Sequence, residues 1–199
     1  MRMRTARRPA GVARKLDQTR RRKLLQADWM THDAMWFAAT VRLSGIDRVN
    51  LVARTAARAS AEIGAQRLCV ALGLPGVHSF AGLKRFLREA LAAMRTPGMR
   101  LDVSFPAHNR MRWKAIRCLA HDCAKHLGVI EDFQCHLFER LDAWLEALGI
   151  TYRAFPAVEG CLMHARGACV REFRFRFPPP RRGGLRAARS ARRRAGSTA

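Results

Sequence analysis

The sequence contains no Cys-x-x-Cys pair, although six of its 199 residues are cysteines. Close cysteine pairs are the usual signature of zinc fingers and of many iron-sulfur proteins, because two neighbouring thiolates supply half of a four-ligand site. Their absence excludes the common zinc-finger spacings. A metal site in this chain would have to collect its ligands from distant positions.

Long apolar runs are also missing. The longest, near residues 68–77, is interrupted by Gly and Pro and is far shorter than the roughly 20 residues of a membrane-spanning helix. The Arg-rich start lacks the apolar segment of a secretory signal. We therefore expect a cytoplasmic protein without membrane contact. Its thiols would be reduced and would serve as ligands, catalytic groups or packing rather than as disulfides.

Acidic residues are few, and the formal net charge is +23. Residues 1–24 carry ten Lys or Arg and one Asp (+9), whereas residues 178–199 carry seven Arg and no acid (+7). We expect a basic, partly disordered segment over 1–24, a single α+β domain over 25–177 and a disordered Arg-rich tail over 178–199. One alternative function is therefore a nucleic-acid-associated protein, whose tails would bind polyanions weakly, nonspecifically and in a salt-sensitive manner.

Hydrophobic periodicity predicts helices in the first half of the domain and strands mostly in the second. The predicted helices cover 15–30, 31–45, 47–73 and 79–98, with Thr31, Asp47 and Ser79 as N-caps. The predicted strands cover 99–105, 109–118, 151–158 and 169–177, with two further helices at about 119–127 and 131–147. This order indicates an α+β fold in which N-terminal helices pack with a mostly antiparallel four-stranded sheet and two further helices.

Four cysteines fall at the ends of these predicted elements, namely Cys118, Cys135, Cys161 and Cys169. Such ends can meet at one edge of a sheet, so one hypothesis is a shared site for zinc or an iron-sulfur cluster. A second is that these residues only pack in the core, as free cysteines often do. A third is a Cys–His nucleophile, in which the helix dipole lowers the pKa of Cys135.

The other cysteines and the nearby histidines are weaker candidates. Cys69 lies in an apolar helix stripe and Cys123 lies within a predicted helix, so both are interpreted as packing residues. His121, three residues after Cys118, is a reserve ligand because it shares its helix face. We interpret His126 and His136 as surface residues.

A polar pair, His32 and Asp33, stands among tryptophans in the segment DWMTHDAMWF. His32 and Trp36 are four residues apart and share a helix face, which permits an aromatic-lined polar pocket. The alternative is that Asp33 only interacts with the dipole of a helix beginning at Thr31.

Several segments together resemble a family of small prokaryotic cytosolic proteins that is similar to the L-2-amino-thiazoline-4-carboxylic acid hydrolase group. The segments are DWMTHDAMWFAATVRLSGIDRVN, MRWKAIRC, DFQCHLFERLDAWLEALGI and GCLMHARGACVREFRF, and they span roughly residues 25–177. The resemblance implies that Cys118, Cys135, Cys161 and Cys169 form one set, and it leaves out Cys69 and Cys123.

The same resemblance implies an activity. It points to a hydrolase-like reaction at a C–N bond of a small-molecule substrate, with His32 and Asp33 as catalytic acid-base residues and a metal bound by the cysteines. The alternative within this reading is a non-catalytic metal-sensing or ligand-sensing module, because a closed four-cysteine site is typically structural.

Overall fold

The computed structural model describes residues 15–94, 96 and 98–177, so the predictions for 1–14 and 178–199 lie outside the described residues. The described part is an α+β fold with a four-stranded sheet, which confirms the predicted class. Its elements, in chain order, are α1 (Gln18–Ala71), α2 (Phe80–Ala93), β1 (Arg100–Ser104), β2 (Arg110–Arg117), α3 (Leu119–His126), α4 (His136–Ala147), β3 (Thr151–Phe155), α5 (Leu162–Arg166) and β4 (Cys169–Arg176).

The first half differs from the prediction, because one long helix, α1, replaces the three helices predicted over 15–73. The predicted N-cap Thr31 is wrong: its hydroxyl donates to the Ala27 carbonyl at 3.0 Å, as a residue inside a helix can. The helix is interrupted only at Gly45, where φ is 74° and ψ is 168°. That conformation is essentially restricted to glycine. Gly45 therefore divides α1 into an N-terminal arm (residues 18–44) and a C-terminal part.

The sheet is antiparallel throughout, with strand order β1-β2-β4-β3. Alternation of buried and exposed residues along β2 and β4 gives the sheet one apolar face and one wet face. Trp113 pairs with Arg171, and Ala115 pairs with Cys169, so these four side chains share the buried face. Cys169 is thereby attached to one of the two central strands of the sheet.

Helices α2 and α4 cover this face. α2 begins at the predicted N-cap, where the Ser79 hydroxyl accepts from the backbone N–H of Gly82, and it buries Leu83, Phe86 and Leu87 completely. Burial of such side chains stabilises the fold by about 1.5–3 kcal/mol each. Phe86 meets Trp144 of α4 edge to face, which joins the two helices above the sheet.

Two boundaries in the second half differ from prediction. α4 begins at His136 rather than near residue 131, because the preceding residues form turns. A short helix, α5, occupies the segment predicted as a loop between the last two strands. No helix in the described residues is both long enough and apolar enough to cross a membrane.

Candidate metal centre and adjoining cavity

Three of the four cysteines in the predicted set occupy the same kind of position. Cys118, Cys135 and Cys161 are the N-cap residues of α3, α4 and α5, and each has an extended backbone. Serine, threonine and aspartate usually occupy this position because their oxygens accept from free helix N–H groups. Here none of the three side chains makes a full capping hydrogen bond. The fourth, Cys169, is the first residue of β4.

Cys118 lies within electrostatic range of each of the other three thiols. A charge on Cys161 raises the pKa of Cys118, charges on Cys118 and Cys169 raise that of Cys135, and charges on Cys118 and Cys161 raise that of Cys169. Like charges act in this way only over short distances. Positions 118 and 169 are far apart in the chain, and the fold brings them together.

Burial sets the protonation state of these thiols. Loss of water is the largest cause of the raised pKa of Cys118, and it raises the pKa of Cys135 from 9.0 to about 12 and that of Cys169 from 9.0 to about 11. Backbone N–H groups of Leu137 and Phe138 lower the pKa of Cys135, but by less. Burial thus shifts the pKa of Cys135 upward, opposite to the lowering by the helix dipole that the nucleophile hypothesis expects.

A buried hydrogen-bond donor accompanies the set. Trp113 is only 1% exposed, and its indole nitrogen has no hydrogen-bond partner among the described residues. It lies close enough to Cys169 to lower the pKa of that thiol as a hydrogen-bond donor does. A buried indole N–H normally has a partner, so this one is an unused donor beside Cys169. A thiolate at Cys169 would be a stronger acceptor for it than the thiol.

The cysteines and histidines left out of the set lie apart from it or have other partners. No cysteine contributes to the raised pKa of Cys69 or Cys123. The reserve ligand His121 contacts Asp122 at 3.0 Å. Within residues 15–94, 96 and 98–177, no three His, Cys, Asp or Glu side chains are arranged so that they could hold a metal ion.

A cavity of about 420 Å³, here called the cysteine-side cavity, separates the N-terminal arm of α1 from the starts of α3 and α4. Cys118 lines one side of this cavity. Asp33, His136 and Arg140 also line it, among apolar residues that include Trp29. One of the four predicted metal ligands and one of the two predicted acid-base residues therefore face the same space.

Sequence reasoning missed Arg140 and misinterpreted His136. His136 lies between Phe37 and Phe133, with ring centroids 6.4 and 5.6 Å away, and is not a free surface residue. Burial, together with the charge of Arg140, lowers the pKa of its imidazole. The two residues are four apart on α4 and therefore share a helix face, which is a signal that the sequence does contain.

His32 points away from the cysteine-side cavity. Its side chain is 62% exposed, and its Nε2 accepts from the indole N–H of Trp36 at 3.0 Å. Its Nδ1 lies 3.8 Å from Oδ1 of Asp33. His32 can therefore act on a ligand in this cavity only through Asp33.

A scan against protein-family models and a search of curated protein sequences found no match to this chain. The similarity to the thiazoline hydrolase group therefore stays a prediction.

Proposed function

We propose that the protein binds a small molecule in the cysteine-side cavity and holds a metal at the edge of that cavity through Cys118, Cys135, Cys161 and Cys169. One observation carries the proposal: Cys118 and Asp33, from two sites predicted separately, line one cavity. Apolar walls with a few convergent polar groups are typical of ligand sites.

The chemistry of the donor set fits zinc or an iron-sulfur cluster. Four thiols offer the soft ligands that both metals prefer, and the Trp113 indole and the first-turn N–H groups favour thiolate sulfur. Because burial raises the pKa of Cys118, Cys135 and Cys169 and the ligands are not arranged around a metal, binding would release protons and draw the sulfurs together. Metal binding would thus join β4 to the first turns of three helices.

The reaction we propose is the one implied by the resemblance, hydrolysis of a C–N bond. A metal held by four cysteines keeps no open position for water, so its role would be to shape the cavity. Proton exchange with the substrate then falls to Asp33, which lines the cavity, while His32 acts as its neighbour on α1. The alternative, a non-catalytic sensing module, uses the same cavity without turnover.

Metal analysis of purified protein tests the metal centre. We expect zinc or iron to copurify with the wild type, and both Cys118→Ser and Cys169→Ser to lose most of it. Cys123→Ser is the matched control, because Cys123 is one turn from Cys118 but outside the set. Equal metal content in all four proteins, or no metal in any of them after anaerobic purification, would contradict the proposal.

Turnover separates the enzyme from the sensing module. Thiazoline carboxylates and related cyclic amidines are incubated with wild type, Asp33→Asn and His32→Ala. We expect Asp33→Asn to abolish hydrolysis and His32→Ala to reduce it less, because only Asp33 faces the cavity. Ligand-induced thermal stabilisation without hydrolysis in the wild type would indicate the sensing module.

A further inference from the structure

The N-terminal arm of α1 carries a continuous stripe of exposed residues with alternating spacings of four and three. We call it the arm seam; its members are Leu25, Trp29, His32, Trp36, Ala39 and Leu43. Spacing that averages 3.5 residues is the pattern by which one helix packs along another. The four large apolar side chains of the seam are well exposed, from 64% for Trp36 to 86% for Leu43. Over about 19 residues the seam is roughly 28 Å long.

The arm has a second, inward apolar face. Phe37 packs edge to face on Phe133, and Met30 lines the cysteine-side cavity. The seam borders this inward face, since Leu25 and Trp29 also line the cysteine-side cavity, but its large side chains remain mostly exposed. A helix that is apolar on two faces is normally covered on both. Within the described residues, nothing covers the seam.

We propose that the seam binds the same seam of a second copy of this chain, with the two arms antiparallel. Antiparallel pairing places the first seam residue opposite the last. Leu25 then meets the partner's Leu43, Trp29 meets the partner's Ala39 and His32 meets the partner's Trp36. Each tryptophan faces a smaller or polar side chain, which allows close packing. The twofold arrangement repeats every contact.

Exposed charges beside the seam favour a second copy of this chain as the partner and favour antiparallel pairing of the two arms. Asp28 and Arg42 are exposed on the same flank of the seam, and neither has an ion-pair partner in the described part of the chain. Antiparallel pairing sets Asp28 beside the partner's Arg42 twice, as flanking positions of coiled helices are. A parallel pair would instead bring the two basic stretches at 20–23 together. The antiparallel pair keeps these two basic stretches apart.

On the opposite flank of the seam, antiparallel pairing brings two like charges together, which disfavours the dimer. Asp33 of each chain approaches the partner's Asp33 near the twofold axis. Each carboxylate also lies near Arg140 of its own α4, whose pKa Asp33 raises. That charge offsets part of the repulsion between the carboxylates. Because Trp29 and Asp33 line the cysteine-side cavity, the second copy would border its mouth.

Sedimentation equilibrium of the full chain at 0.15 M salt tests the pairing. The chain mass is 22.5 kDa, so we expect a species of about 45 kDa. Leu43→Glu should weaken association more than about tenfold, because a charge replaces a buried leucine. Val70→Glu is the control, since Val70 is 82% exposed but lies beyond the kink. Circular dichroism confirms that each variant is folded.

A charge swap tests the direction. Asp28→Arg and Arg42→Asp should each weaken the dimer severalfold, and the double variant should recover most of the loss, because the pair is restored in reverse. A monomer at every concentration would overturn the proposal. A dimer whose association is unchanged by Leu43→Glu would also overturn it. A dimer that Leu43→Glu breaks but that the double variant does not restore would overturn the antiparallel direction. We expect the metal content to be the same in all of these variants, which separates this proposal from the metal centre.

Discussion

Asp33 on α1 and Arg140 on α4 line the same cavity, yet they form no ion pair. Asp33 raises the pKa of the Arg140 guanidinium by its charge, but burial lowers that pKa by more. The arginine therefore stands in a mostly apolar cavity without a hydrogen-bonded carboxylate among the described residues. A buried cation without a partner destabilises a fold, and such groups are kept where a ligand needs them.

Replacing Arg140 with Met should therefore stabilise the protein while weakening its binding of anionic ligands. Methionine keeps the length and removes the desolvated charge, so we expect the free energy of unfolding to rise by about 1–2 kcal/mol. Urea denaturation at pH 7 measures the change. A clear loss of stability would mean that Arg140 has a partner that the ligand-free geometry does not show.

Arg58 is the control for Arg140, because it contacts the same two helices but does have carboxylate partners. It lies on α1 and pairs with Glu139 at 3.2 Å and with Glu146, both on α4. Its side chain is 41% exposed, so solvent limits the value of the pairs. Arg58→Met should lower the free energy of unfolding by up to about 1 kcal/mol. We therefore expect Arg58→Met to lower the free energy of unfolding and Arg140→Met to raise it.

The sheet half of the fold could be predicted from the sequence because its signals are local. Alternating residues specify β2 and β4, and Gly128 and Gly149 follow the ends of α3 and α4 with positive φ, a conformation that favours glycine. The arm of α1 was misinterpreted for a physical reason. Thr31 and Asp33 are good capping residues, but a helix begins only where its preceding turn is absent, and here that turn is continuous.

The candidate site was less predictable. Four cysteines at element ends indicated convergence. In the described residues Cys118 is electrostatically coupled to each of the other three, but no three ligands are arranged to hold a metal ion. The cavity was not predictable, since it depends on how Gly45 directs the arm of α1 over the start of α4. Whether His32 or Asp33 faces inward depends on the rotation of α1, which a polar pair of adjacent residues does not specify.

Asn50 should be essential for positioning Cys135. It is 6% exposed, its Nδ2 donates to the Asp132 carbonyl at 2.7 Å, and its Oδ1 accepts from the Gln134 N–H at 3.0 Å. Asn50→Ala leaves both backbone groups without partners, and we expect a loss of about 2–4 kcal/mol in the free energy of unfolding. Metal affinity should fall with it, as measured by competition with a chelator.

Gln134→Ala is the matched control, because it removes only an exposed side-chain contact with Arg54 and keeps the backbone N–H. We expect its stability to change by less than about 0.5 kcal/mol. If the two variants lose similar stability, the side chain of Asn50 does not hold this turn.

The kink of α1 should depend on Gly45. A Cβ at this position meets no atom within 4 Å, so the cost of Gly45→Ala is purely conformational. We expect a loss of about 1–3 kcal/mol. Gly64→Ala is the reverse case, because Gly64 lies inside the helix and its added Cβ would be 4.0 Å from Trp144 Nε1. It should stabilise by about 0.5–1 kcal/mol. Thermal denaturation of the two variants measures both stability changes. If both substitutions change stability in the same direction, the dependence of the kink on Gly45 is contradicted.

The metal-free protein should lose stability at alkaline pH through its buried thiols. The folded state keeps the protons of Cys135 and Cys169 up to about pH 12 and 11, whereas the unfolded chain releases them near 9.0. Because the folded state then binds more protons, its stability is complete below pH 9 and falls by about 1.4 kcal/mol per pH unit for each thiol above it.

Urea denaturation of chelator-treated wild type and Cys135→Ala, at pH 8 and pH 10, measures this effect. The difference in unfolding free energy between the two proteins should shrink by about 1 kcal/mol at pH 10, because the variant has one thiol fewer to protect. Cys123→Ala, whose thiol is partly exposed, should follow the wild type closely. A pH-independent difference for Cys135→Ala would show that this thiol is not held protonated by burial. The four-cysteine cluster would then be open to water rather than closed within the fold.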